Sequence, residues 1–154
     1  MQDHRDYALW HAIHRVELSH WYDVNLNDGK TVHELYTENG RFIVGQQERN
    51  SREEIRAFYE ARRQRGVRTA RHLVSNFLLL PIDKDRHARA AGTICLHAGD
   101  QPPILPAKSP ILIADLASEF VLEDDGVWRF SWHVLRPIFV GDDPFVRHAV
   151  SSGS

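Results

Sequence analysis

The chain has 154 residues, suited to one domain, and its nineteen basic and twenty-one acidic side chains nearly cancel, so no basic stripe points to nucleic acid and no charged tail to a membrane surface. Its single cysteine, Cys95, excludes an internal disulfide and a cysteine-built zinc knuckle. The opening MQDHRDYALW holds no apolar stretch of signal-peptide type, and the longest apolar run, LVSNFLLLPI, is too short for a bilayer, so a cytoplasmic protein is expected.

The first predicted element is a helix from about Asp6 to Asp23. Leu9, Ile13 and Val16 recur at helical spacing, and the same stripe runs on through His20 and Asp23, so it begins apolar and ends in an imidazole and a carboxylate. NLNDGK is a turn. A short helix from about Thr31 to Tyr36 is expected to stop near Asn39-Gly40. Arg41 to Gln47 reads as a strand. Ser51 with Glu54 three residues on is a capping box, and it starts a helix with Ile55, Phe58 and Tyr59 on its apolar face.

The remainder is strand. Val67 to Ile82 alternates, Asp83-Lys84-Asp85 turns, and Ala88 to Ala98 returns. A Pro-rich loop follows, then a strand from Ile111 to Glu123. Asp124-Asp125-Gly126 is a hairpin signal, and Val127 to Pro137 closes the sheet. Residues 139–154 carry little pattern and read as a frayed tail after a domain spanning 1–138. Helices first and an antiparallel sheet after them give an α+β class, with a curved sheet and helices on its concave side around a pocket.

Alternation sorts the strand residues into faces. One row carries Ala70, His72, Val74, Asn76 and Leu78; another Ala91, Thr93, Cys95 and His97; a third Ile111, Ile113, Asp115 and Ala117; a fourth Arg129, Ser131, His133 and Leu135. Each row holds a polar or ionisable group, and burying such groups unpaired is costly. Convergence of these rows on a small, partly wet cavity, closed by the end of the first helix, is one economical arrangement; exposure of each histidine on an outer face is the other. His11 and His14 make an H-x-x-H pair opposite the apolar stripe and are read as facing water, so no metal site is assigned. ARRQRGVR, 61–68, reads as a solvated helix end.

A helix ending near an Asp, Gly45 before a capped helix ending in Phe58-Tyr59, the strand RTARHLVSN (68–76) and a final DGVWRF hairpin together resemble the SnoaL-like branch of the nuclear transport factor two-like superfamily. The resemblance covers about Tyr7 to Ile138 and implies a cone with a deep pocket. Within the superfamily the chain is most similar to the scytalone dehydratase and lindane dehydrochlorinase families. That similarity implies a catalytic dyad of Asp23 and His72, assisted by Tyr22 and by His97. Asp115, His133, Asn76 and Val44 are the expected substrate contacts. Asp115 and Ala117 depart from the dehydratase pattern, which has a Ser and an Asn on that strand.

The implied activity is that of a cofactor-free lyase or isomerase acting on a small hydrophobic hydroxy-ketone or ring compound, with no nucleic-acid or membrane partner and a homodimer or homotrimer as the assembly. Two rival readings come with the fold. One is a small (beta) subunit of an aromatic-ring-hydroxylating dioxygenase, whose chemistry would belong to a large subunit. The other is a noncatalytic small-molecule-binding module.

Overall fold

The computed structural model describes residues 2–151. Helix α1 (Gln2–Asn27) is followed by a 3-10 turn (Val32–Leu35), strands β1 (Tyr36–Val44) and β2 (Gln47–Arg49), and helix α2 (Arg52–Gln64). Strands β3 (Thr69–Leu80), β4 (His87–Gly99), β5 (Leu112–Leu122) and β6 (Trp128–Val140) complete one six-stranded sheet, and helix α3 (Pro144–Ser151) ends it. The sheet order is β2-β1-β6-β5-β4-β3. Every neighbouring pair is antiparallel except β1 and β6, which run parallel, so the sheet is mixed. The α+β class and the curved, cone-like sheet expected from sequence both hold.

The capping box at α2 forms: Ser51 Oγ accepts from the Glu54 amide at 3.1 Å. Glu54 Oε2 in turn accepts from the Asn50 amide at 2.6 Å, one residue before the cap itself. Arg52 then donates through Nε and Nη2 to the Tyr36 carbonyl at 2.9 and 2.6 Å, which fastens α2 to the start of β1. That strand begins earlier than the sequence suggests. Asn39-Gly40, read as a helix end, lies inside β1, where the β1–β6 register shifts between Tyr36 and Arg41.

Two further bulges decide which side chains point inward, because one extra residue flips everything after it. In β3 the pairing breaks between Ser75 and Leu78, and Asn76 takes φ +53. Phe77 is consequently buried, while Asn76 is exposed and Leu78 is 63% exposed. In β6 the break lies between the Glu119 and Phe120 partners, so Phe130 and His133 share the inner face and stack at 4.2 Å.

The inner rows of β4 and β5 are the more apolar ones: Ala90, Ile94 and Leu96, then Leu112, Leu116 and Phe120, all buried. His97 and Asp115, expected to face the cavity, are exposed on the opposite face, with His97 Nε2 3.7 Å from Cys95 Sγ. The tail is also corrected as far as Ser151: β6 runs to Val140, and α3 buries Val146 and Ala149. Gly45, at φ +59, permits that closure, since a Cβ there would lie 2.7 Å from the Ala149 carbonyl oxygen. Residues 152–154 of the expected tail lie outside the described residues.

Candidate functional site

A cavity of about 490 Å³ opens between the concave sheet, the C-terminal half of α1, α2 and α3. Trp21, Phe42, Val44, Phe58, Leu96 and Leu135 give it apolar walls. Polar groups reach it at few points: His72, Tyr59, and a rim where Arg62, Arg63 and Arg68 face Asp28. Few polar groups on apolar walls are the usual make-up of a small-molecule site.

His72 stands on β3 with its ring stacked on Trp21, centroids 4.5 Å apart. Its partner is Asn25, not Asp23. Asn25 Oδ1 accepts from the His72 backbone N–H at 3.0 Å and lies 2.8 Å from ring Nδ1. A backbone amide can only donate, so the atom it meets is the amide oxygen of Asn25. The ring must then carry its proton on Nδ1, and Nε2 is left as a bare acceptor. No described protein group hydrogen-bonds that nitrogen. Burial, and then the charge of Arg68, lower the His72 pKa from its usual 6.5 to about 3, so the ring is neutral at physiological pH.

Asp23 is engaged elsewhere. Its carboxylate accepts from Asn27 Nδ2 at 2.8 Å, from the Thr31 amide at 3.0 Å and from Thr31 Oγ1 at 2.8 Å. It thus ties the end of α1 to the following turn. The expected Asp23–His72 pair is not formed, because the helix turns Trp21 toward the cavity and Asn25 toward the β3 backbone. Tyr22, the expected assistant, is 68% exposed. Val44 lines the cavity, whereas Asn76, Asp115 and His97 do not.

His133 is fully buried but belongs to a separate structure behind the cavity wall. Glu17, also fully buried, holds its Oε1 2.7 Å from His133 Nε2 and 3.0 Å from Trp21 Nε1, and its Oε2 2.8 Å from Ser118 Oγ. Tyr36 Oη lies 2.6 Å from His133 Nδ1 and 3.1 Å from His20 Nδ1, and His20 Nε2 lies 3.0 Å from Tyr59 Oη. One proton assignment satisfies the whole line. His133 donates to the Glu17 carboxylate, Tyr36 donates to His133, His20 donates to Tyr36, and Tyr59 donates to His20.

Burial keeps His20, Tyr36 and Tyr59 neutral: it lowers the His20 pKa well below 6.5 and raises those of Tyr36 and Tyr59. Tyr59, the end of this line, also lines the cavity, as does Trp21, which donates to Glu17. The place of Tyr59 is set by Gly29, at φ +70, where a Cβ would come within 2.5 Å of the Tyr59 ring.

Glu17, Asn25, Tyr36 and Arg62 were not singled out from sequence. Glu17 had a signal: it follows Ile13 by four residues and precedes His20 by three, on the stripe that the helix buries. Arg62, read as part of a solvated helix end, lines the cavity with its Nη2 buried and without a hydrogen-bond partner.

The SnoaL-like domain profile matches residues 7–132. No curated protein matches the sequence. Among solved structures, the chain is similar to a candidate scytalone dehydratase from Novosphingobium aromaticivorans, with TM-score 0.75 and 18% identity over 93% of this chain and 92% of that one. It is also similar to the beta subunit of a candidate aromatic-ring-hydroxylating dioxygenase from the same organism, with TM-score 0.77 and 10% identity over 91% and 95%. ActVI-ORFA from Streptomyces coelicolor aligns with TM-score 0.69 and 15% identity over 84% and 97%.

Proposed function

From the premise that the chain belongs to the SnoaL-like family, we propose that it is a cofactor-free lyase or isomerase acting on a small hydrophobic hydroxy-ketone. One observation carries this reading: a neutral imidazole on the wall of an apolar cavity, its tautomer fixed by Asn25 and its Nε2 unengaged.

In an elimination, His72 Nε2 takes the proton from the carbon next to the carbonyl, and the electron pair moves to the carbonyl oxygen as an enolate. The enolate then reforms the carbonyl, expels the β-hydroxyl, and the imidazolium returns its proton to that hydroxyl as water. Asn25 holds the ring but adds no charge, so the imidazolium is not stabilised as it would be by a carboxylate. With a pKa of about 3 the ring has roughly the basicity of a carboxylate. So weak a base requires a proton already acidified by an adjoining carbonyl, while its imidazolium is a strong acid for the leaving hydroxyl.

The test is turnover of a panel of aryl hydroxy-ketones by the wild type, His72→Gln and Asn25→Ala. A positioned acid–base group contributes about 10²- to 10⁴-fold, so His72→Gln should lose at least 100-fold in kcat. Asn25→Ala, which frees the tautomer, should lose less. Unchanged turnover in His72→Gln removes the proposal.

The likeness to a dioxygenase beta subunit supports a second reading, in which this chain is an assembly component. Co-expression with a Rieske-type large subunit decides between them: a stable complex together with wild-type turnover in His72→Gln favours the second.

A further inference from the structure

Among the described arginines that line the cavity, Arg62 has a buried nitrogen without a hydrogen-bond partner. Three arginines line the rim against a single carboxylate, Asp28. Two of the three are engaged. Arg68 bridges Asp100 at 2.9 Å and Asp143 at 3.5 Å. Arg63 donates to the Asp28 carbonyl at 3.3 Å.

Arg62 is different. Its Nη1 reaches only the Gly66 carbonyl, at 3.4 Å, and its Nη2 is buried without a hydrogen-bond partner. The nearest carboxylate, Asp100, lies 3.7 Å from Nη2, is largely exposed, and is already held more closely by Arg68. Burial and the charges of Arg68 and Arg65 disfavour the Arg62 cation, and the carboxylates of Asp100 and Asp28 offset this only in part. A buried donor left unmade is costly, and a guanidinium offers the fork that a carboxylate fits.

We infer that the ligand of this cavity is an amphipathic acid: an apolar, ring-sized body against Trp21, Phe42 and Phe58, with a carboxylate received by Arg62. The inference deepens the reading above by naming a substrate class, and it rests on that reading only for the identity of the cavity. The acid group lies at the rim, so the body of the molecule extends inward toward His72. An alcohol of the same shape would leave Arg62 as it is now, while a carboxylate would complete it.

Binding without turnover tests this. Isothermal titration calorimetry of the full chain compares 2-naphthoate with 2-naphthylmethanol, which share the ring and differ in charge. The wild type is expected to favour the acid by roughly 10- to 100-fold, the range for a charge-assisted hydrogen bond. Raising the salt concentration should reduce acid binding and leave alcohol binding unchanged. In Arg62→Met the preference should fall to about unity with alcohol affinity retained, which also reports that the variant is folded. If Arg62→Met does not fold, Arg62→Gln decides the same way.

Equal affinity for acid and alcohol in the wild type overturns the inference. So does a preference that survives in Arg62→Met or Arg62→Gln, or an absence of naphthoate binding at millimolar concentration. His72→Gln should keep the acid preference, so a failure of the elimination chemistry and a failure of this inference are separable.

Discussion

Two polar regions lie on either side of Trp21, and they are built on opposite principles. Behind it, Glu17, His133, Tyr36, His20 and Tyr59 form a line in which each donor meets an acceptor over 2.6–3.1 Å. In front of it, the cavity holds His72 with one ring nitrogen unengaged and Arg62 with one nitrogen unpaired. A fully satisfied buried network rigidifies a core and specifies one arrangement. Groups left unsatisfied at a cavity wall are available to something else. Histidines occur in both regions, so residue type does not separate scaffold from site here; hydrogen-bond completeness does.

The sharpest way to break this contrast is to remove the hub of the closed region. Glu17→Ala leaves His133 Nε2, Trp21 Nε1 and Ser118 Oγ facing no acceptor in a dry interior. Breaking one partner of a buried ionic or charge-assisted pair costs about 3–5 kcal/mol. Glu17→Gln keeps the Oε1 acceptor and asks only that Ser118 rotate its hydroxyl, so about 1–2 kcal/mol is expected. Arg62→Met should change stability by less than about 1 kcal/mol, because only long, weak contacts are lost. Urea unfolding of the three variants checks the order. A Glu17→Ala protein as stable as Arg62→Met would mean that the closed line contributes nothing.

The pH dependence of stability sharpens the same comparison. His72 has a folded pKa of about 3 against an unfolded value near 6.5. Between those values the unfolded chain binds a proton that the folded chain does not, so stability rises with pH and is lost as pH falls below about 6.5. From pH 7 to pH 5 this one group accounts for about 2 kcal/mol. His20, lowered in the same direction by burial, adds to the slope. Unfolding free energies at the two pH values should fall less steeply in His72→Gln than in the wild type. Identical slopes would show that the ring is not held neutral.

The sequence carried the scaffold because local signals agreed with one another: a capping box that forms, a hairpin at Asp124-Asp125-Gly126, and four long alternating strands. It did not carry the inner faces as well. Alternation separates two rows on each strand but does not say which is inside, and attention to polar residues selected the outer row on β4 and β5. The apolar content of Leu112, Ala114, Leu116 and Phe120 was the better guide. Asn76 was misplaced for a different reason. A single residue at positive φ shifts the register, and no periodicity argument sees that. The partner of His72 turned on helix phase: 23 and 25 are two residues apart, about 200° of rotation, and only Asn25 reaches β3.

That last point yields the smallest effect and the most direct check on the role of Asp23. Its carboxylate accepts three hydrogen bonds at the partly exposed end of α1, from Asn27 and Thr31. A surface cap of this kind is worth about 1 kcal/mol. Asp23→Asn should therefore lower the urea midpoint slightly, while turnover of whichever hydroxy-ketone the wild type accepts stays within about twofold, since the side chain reaches neither His72 nor the cavity. Asn25→Asp is the informative reciprocal. It places a carboxylate on Nδ1 of His72, which raises the basicity of the ring and moves the acid limb of the pH–rate profile upward. A loss of 100-fold or more in Asp23→Asn, with Asn25→Asp silent, would return the orienting role to the residue that the structure assigns to the turn.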